Sequence, residues 1–263
     1  MDGRHELRLV YQVQGSRDVV AVYERVDKVV IPGGWRAMLR RIGPLRSAYY
    51  LILAMRDAFV ESPERVKSGL ELEFERGPDP WQYETEKGQR RLRHAAETLD
   101  SVRRGVRFGA ALEIGCAEGA FTAMLAPRCD SVLAVDSSPL ALDRARARTG
   151  WDGRVRFQRW DLRQDPLPGI FDLIVLTSVL EYFGNPGSLR AACAKVIAGL
   201  NPGGLLLVGN MRQNEVSEDA WWGRVLIRGG KWIDRYMAGQ PGLEVITTTV
   251  TDSYIESLLR KVK

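Results

Sequence analysis

Three acidic side chains stand at the ends of three successive apolar runs, and their order suggests chemistry. Glu113 lies near the end of Ala110-Ala-Leu-Glu-Ile114, Asp136 closes Ser131-Val-Leu-Ala-Val-Asp136, and Asp161 follows Val155-Arg-Phe-Gln-Arg-Trp160. In open α/β sheets, ligands bind outside the carboxyl ends of the strands. There Asp136 can accept from both hydroxyls of a ribose. Asp161 can accept from an adenine amino group while the Leu162 N–H donates to the ring. Glycines at 115 and 119, within Glu113-Ile-Gly-Cys-Ala-Glu-Gly119, have no Cβ and let the backbone approach a ligand closely. Glu113 beside that turn fits a pyrophosphate poorly and suits a cation. Each signal alone has a plainer explanation: a packing glycine, a dinucleotide-type ribose contact, or a turn-forming Asp. Three consecutive strand ends carrying Glu, Asp and Asp are much harder to assign to caps.

Other chemistries have less to build on. A dinucleotide fingerprint needs glycines at 115, 117 and 120, but Ala117 and Ala120 occupy two of those places. The only histidines are His5 and His94, so an imidazole-based triad or metal site has little material. His94 falls on a polar helix and reads as exposed. Cys116, Cys129 and Cys193 have neither paired nor metal-ligand spacing. The longest apolar stretch, Ala48 to Met55, is far shorter than a membrane span, and the amino terminus lacks a signal core, so a cytosolic location is expected. The net charge of +5 comes from arginine runs that read as solvated helix faces rather than a nucleic-acid surface.

The elements that must position these residues follow from periodicity. Between 110 and 208, apolar strands alternate with amphipathic helices, which predicts a parallel sheet covered on both faces. The rhythm then breaks. Leu243–Val250 and Tyr254–Arg260 are separated only by Thr-Asp-Ser, too short for a crossover helix, so they must form an antiparallel hairpin. The expected fold is a doubly wound, Rossmann-like, seven-stranded sheet ending in that hairpin. Residues 77–263 form this domain, after a loop at Gly77-Pro-Asp-Pro80 and a long charged helix reaching Arg104. Residues 1–76 read as an extension of short strands (about 7 to 31) and helices (Trp35 to Val60, broken near Gly43-Pro44), serving as a lid or a homodimer contact.

Leu112-Glu-Ile-Gly-Cys-Ala-Glu-Gly-Ala-Phe-Thr122, Val135-Asp136, Trp160-Asp-Leu162, Phe171-Asp-Leu-Ile-Val175 and Leu200-Asn-Pro-Gly-Gly-Leu205 together resemble a class I S-adenosyl-L-methionine-dependent methyltransferase. Asp79-Pro-Trp-Gln-Tyr83 ahead of the core is similar to the NodS branch, whose members act on the amino group of a sugar. The resemblance implies that Glu113, Gly115, Cys116, Ala117 and Gly119 surround the methionine part of the cofactor. By the same likeness Asp136 and Ser137 hold the ribose, Asp161 and Leu162 the adenine, and Thr177 and Ser178 flank the methyl donor. Trp81, Tyr83 and Arg91 would close over it, with Arg91 a partner for its carboxylate. The expected acceptor is the N or O of a small molecule, a sugar or glycoside favoured; the alternatives are an RNA methyltransferase, which the basic charge would suit, and a non-catalytic S-adenosylmethionine-binding interaction domain.

Ser178-Val-Leu-Glu-Tyr-Phe183 resembles a Glu-Val-Ile-Glu-His-Leu stretch of metal-dependent RNA-end methyltransferases, but Ser178 and Tyr182 replace two of the ligands. One carboxylate is too little for an octahedral site, so no metal is expected. Glu181 and Tyr182 are left to hold or deprotonate the acceptor. Trp221, Trp222 and Trp232 could form a sugar-stacking wall.

Overall fold

The computed structural model describes residues 7–13, 19–25, 63–103, 105–183, 186–212, 230–251 and 253–262. The chain divides into two compact units, Met1–Leu53 and Ala54–Lys263. Within the first, β1 (Leu7–Val13) and β2 (Val19–Arg25) pair as an antiparallel hairpin. The helical pattern expected over Trp35 to Val60, and Trp221 and Trp222, lie outside the described residues.

The second unit runs α1 (Pro63–Arg76), α2 (Glu86–Arg103), β3 (Phe108–Ile114), α3 (Ala120–Leu125), β4 (Cys129–Asp136), α4 (Pro139–Ala147), β5 (Val155–Arg159), β6 (Phe171–Thr177), α5 (Pro186–Ala198), β7 (Leu200–Met211), α6 (Gly230–Ala238), β8 (Leu243–Val250) and β9 (Tyr254–Lys261). A single 3₁₀ turn, Leu180–Tyr182, follows β6. The sheet order is β5-β4-β3-β6-β7-β9-β8. Strands β3 to β7 are parallel, and β9 runs antiparallel between β7 and β8. This is the doubly wound sheet with a terminal hairpin that the sequence predicts. By contact the sheet's unit starts at Ala54, so α1 belongs with it.

The helices cover the sheet because their apolar residues recur at i, i+3, i+4 and i+7. On α2 these are Leu92, Ala95, Ala96 and Leu99, which share one core with Phe121 and Leu125 of α3 and Leu142 of α4. On the opposite face Leu189, Ala192, Cys193 and Val196 of α5 join Ile233 and Met237 of α6. Strands β6 and β7 are covered on both faces and accordingly read Leu-Ile-Val-Leu and Leu-Leu-Leu-Val. Among the described residues no helix is long and apolar enough to cross a membrane.

The crossover order reverses between β3 and β6, so their carboxyl ends diverge into a crevice. The residues singled out by type lie along that edge.

Candidate functional site

The turn after β3 is built by backbone bonds that leave little freedom. Gly115 and Cys116 both donate to Val135 O, at 2.8 and 3.0 Å, and Gly119 donates to Cys116 O at 2.9 Å. Gly115 and Gly119 have φ of 73° and 80°, the left-handed region that side chains disfavour. A Cβ at Gly115 would lie 2.5 Å from Val179 Cγ2, so this glycine also admits the post-β6 loop. Ala117 holds φ 49° without that licence, and Asp136 explains how: its Oδ2 accepts from Ala117 N at 2.9 Å. Oδ1 accepts from Ser138 N at 2.9 Å, while Ser138 Oγ caps α4 by accepting from Ala141 N at 3.0 Å. The Asp136 carboxylate therefore ties the glycine turn to the start of α4. Ser137 lies half-buried between them. Burial raises the Asp136 carboxyl above its ordinary value, against N–H groups of Ser138, Ala117 and Ser137 that pull it down.

Glu113 is 4% exposed, and its Oε2 has no hydrogen-bond partner. Burial pushes its pKa from 4.5 to about 8. The folded state then binds this proton more tightly than the unfolded chain. The associated stability is full below pH 4.5 and is lost as pH rises through about 8. Asp136, Glu181, Asp234 and Glu256 shift in the same direction, so a variant must be compared with the parent at each pH. We expect Glu113→Gln to melt about 5 °C higher than the parent at pH 8.5 and close to it at pH 4.5, as thermal scans will show. Cys116, buried beside it, has its thiol pushed well up by burial and serves packing rather than nucleophilic chemistry.

The strap from Gly77 to Thr85 crosses this turn. Asp79 accepts from Tyr83 N and Glu84 N at 2.6 and 2.8 Å, coiling the strap on itself. Glu118 latches it down: Oε2 accepts from Asp79 N at 3.0 Å and Oε1 from Arg144 at 2.8 Å. The same guanidinium donates to Gly77 O and Phe74 O, both at 2.9 Å, closing the end of α1. Phe74 meets the Trp81 ring edge-on at 4.8 Å. Trp81 Nε1 then donates to Tyr182 Oη at 2.9 Å, bringing a cofactor candidate and a catalytic candidate together.

Arg91, on α2, has its guanidinium 5.1 Å from the Tyr83 ring centre and 5.0 Å from that of Tyr254 on β9. Such cation–π contacts hold an arginine in place without neutralising it. Glu181 faces this group. Its carboxylate accepts from Met211 N, at 3.2 Å to Oε2 and 3.4 Å to Oε1, and burial raises its pKa to about 7 although Arg91 lowers it. Thr177 ends β6. Ser178 takes φ 55° and donates its N–H to Gly209 O at 2.7 Å, and its buried hydroxyl helps to lower the Glu181 carboxyl.

Asp161 and Leu162 sit at the far end of the crevice. Trp160 N donates to Asp136 O at 3.0 Å, which sets Asp161 beside the end of β4. Asp161 Oδ1 accepts from Arg163 N at 2.9 Å, so part of its role is the turn. Leu162 buries its side chain in the core, and Lys195 of α5 fixes the segment by donating to Leu162 O and Asp165 O, both at 2.7 Å.

Sequence reasoning passed over several groups. Glu118 carried no assigned role by sequence, and Arg144 belongs to an arginine run that reads as a solvated helix face. Their pairing needs the fold to place α4 beside the strap. His94 is not simply exposed: its Nδ1 lies 3.2 Å from Glu256 Oε1, which also accepts from Thr98 at 3.1 Å. The i, i+4 spacing of His94 and Thr98 is the one signal that was available. Helix α6 was unread, and it places Trp232 in a stack on Tyr236 with centroids 5.1 Å apart.

Comparison with known proteins matches the geometry. The family model for nodulation protein S (NodS) aligns with residues 62–228. Nodulation protein S of Rhizobium tropici is 37% identical over 147 residues, covering 56% of this chain and 60% of that protein. The Bradyrhizobium diazoefficiens protein is 36% identical over 134 residues, 51% of this chain and 63% of its own. The alignments thus span about three fifths of these relatives. The crystal structure of N-methyltransferase NodS from Bradyrhizobium japonicum WM9, in complex with S-adenosyl-L-homocysteine, superposes with a TM-score of 0.63 at 26% identity, over 75% of this chain and 99% of that one.

Proposed function

Because this chain belongs to the NodS family, we propose that it transfers a methyl group from S-adenosylmethionine to the amine of a small acceptor, an amino sugar or glycoside. One observation carries the reading. At the crevice, Glu113 lies buried with an orphan oxygen beside Asp136, and burial raises both carboxyls with no cation facing either among the described residues. Buried carboxylates without a cation are costly, and a ligand bearing sulfonium and ammonium charge supplies what they lack.

Glu113 and the Gly115–Gly119 turn would hold the methionine part, and Arg91 its carboxylate. Asp136 and Ser137 would take the ribose hydroxyls, and Asp161 and Leu162 the adenine. Once bound, S-adenosylmethionine supplies a methyl group already activated on sulfur. The protein's task is alignment, exclusion of water and one proton. The Trp81–Tyr182 bridge and Tyr83 roof the crevice against solvent. An alkyl amine near neutral pH carries a proton that blocks its lone pair, and Glu181, with a pKa of about 7, can remove it before attack. Methyl transfer then leaves a methylated ammonium that keeps its own two N–H protons, and Glu181 passes the proton it took to solvent, restoring the carboxylate.

The test is calorimetry with S-adenosylhomocysteine, followed by label transfer from S-adenosylmethionine to glucosamine and its β-1,4-linked oligomers. Micromolar binding with label on the amine is expected. Absence of binding at millimolar ligand sinks the cofactor assignment.

A further inference from the structure

Asn210 is 1% exposed, and neither Nδ2 nor Oδ1 makes a hydrogen bond. Native interiors hold few such groups, because an amide taken from water without a replacement bond destabilises the fold. An orphan of this kind asks what the amide is for.

Its position narrows the answer. Asn210 is the second-last residue of β7, at the carboxyl end where the crevice opens. Two hydrogen bonds tie the segment after β6 to either side of it: Ser178 N donates to Gly209 O at 2.7 Å, and Met211 N to Glu181 Oε2 at 3.2 Å. Strand alternation puts Asn210 on the face of Leu206 and Val208, which also carries Leu180 of the 3₁₀ turn and Ile233 of α6. The start of α6 presses on it closely. A Cβ at Gly230 would lie 3.2 Å from Asn210 Cβ and 2.7 Å from Met211 O. Ser178 belongs to the same corner: its buried hydroxyl bears on Glu181, and its backbone takes φ 55°, which serine disfavours. An unsatisfied amide one residue from Met211 N, which holds Glu181, thus meets local strain at Ser178.

We propose that Asn210, with Ser178, binds the acceptor beside its reacting amine and selects amines that carry neighbouring hydroxyls. The inference rests on the methyltransferase reading above. Oδ1 accepts from a hydroxyl and Nδ2 donates to an adjacent oxygen, the pattern a polyhydroxylated ring presents next to its nitrogen. Ser178 Oγ can serve the same ring as donor or acceptor. An amine without hydroxyls leaves the Asn210 amide as unpaired as it is now, so it gains nothing from it. Sites built to bond a hydroxyl discriminate strongly against analogues lacking it.

The experiment compares the full chain with Asn210→Leu and Asn210→Ser in three measurements: S-adenosylhomocysteine titration, thermal melting, and methyl transfer to a β-1,4-linked glucosamine tetramer and to cyclohexylamine. In Asn210→Leu, kcat/KM for the tetramer should fall about 10²-fold, mostly through KM, while cyclohexylamine changes less than about threefold. S-adenosylhomocysteine affinity should stay within about twofold. The melting temperature should hold or rise by about 2–4 °C, since an orphan amide has been replaced by an apolar group of similar size. Asn210→Ser, the smaller change, should show the same selectivity shift if the leucine variant does not fold. Equal loss for both amines, an unchanged tetramer rate, or no parental preference for the tetramer overturns the proposal. So does a parent that binds S-adenosylhomocysteine but does not methylate the tetramer. A parent that fails to bind S-adenosylhomocysteine overturns the methyltransferase reading itself.

Discussion

Asp136→Ala should weaken S-adenosylhomocysteine binding at least 10²-fold. Two hydrogen bonds from ribose hydroxyls to a carboxylate contribute about 1.5–3 kcal/mol each, and together they correspond to about 10² to 10⁴ in affinity. The carboxylate does a second job that alanine also removes. It accepts from Ala117 N and Ser138 N, so the glycine turn loses its tie to α4, and Ala117 loses what holds it at φ 49°. Asp136→Asn separates the two effects. Its Oδ1 can still accept one N–H while its amide cannot take both hydroxyls, so an intermediate loss of about tenfold is expected. Calorimetry gives the affinities, and circular dichroism checks that the sheet persists. Binding by the alanine variant within threefold of the parent would mean that the nucleoside lies elsewhere.

Glu181→Gln should lower the rate of methyl transfer by 10² to 10⁴, the usual range for removal of a positioned proton acceptor. Glutamine keeps an oxygen for Met211 N, so the loop stays in place and S-adenosylhomocysteine affinity should not change. The pH profile is the sharper readout. Burial places the Glu181 pKa at about 7, so the active, ionised form grows as pH rises through that value. The parent's kcat/KM should rise across pH 6 to 8, and the variant should lose this limb apart from the amine's own titration. The same raised pKa makes ionised Glu181 a burden on the fold above pH 7, so the variant should melt somewhat higher at pH 8 and equally at pH 4.5. A variant within threefold of the parent at pH 8 would remove Glu181 from the chemistry.

The order of the strand ends and the glycine turn was legible because both impose residue types locally. Glu113, Asp136 and Asp161 mark three strand ends by sequence alone, and the sheet order then sets them side by side. The short link at Thr251 to Ser253 revealed the antiparallel hairpin for an equally local reason. Partnerships between distant segments were not legible. Trp81 and Tyr182 are 101 positions apart, and His94 and Glu256 are 162 apart. Neither pair has a spacing that periodicity can detect. Helix α1 was hidden in what read as an extension, although its Phe74 packs with Trp81 and Ala117. Strand β7 also proved longer than its apolar run. Leu200 pairs with Phe171 and Leu205 with Leu173, and Asn201-Pro-Gly-Gly204 bulges out of register between them, where glycine and proline signal a turn.

The placement of β9 between β7 and β8 bears on synthesis. A ribosome delivers β7 first, with Leu205 to Val208 forming an open hydrogen-bonding edge, and then β8, which has no place beside β7 in the finished sheet. That edge stays bare until the chain has been made as far as Lys261, when β9 fills the gap and admits β8 beside it. Until then the nascent chain carries an uncovered apolar strand, the kind of surface that recruits chaperones or seeds aggregates. The corner that holds Asn210 and Glu181 is consequently among the last parts of the crevice to become rigid.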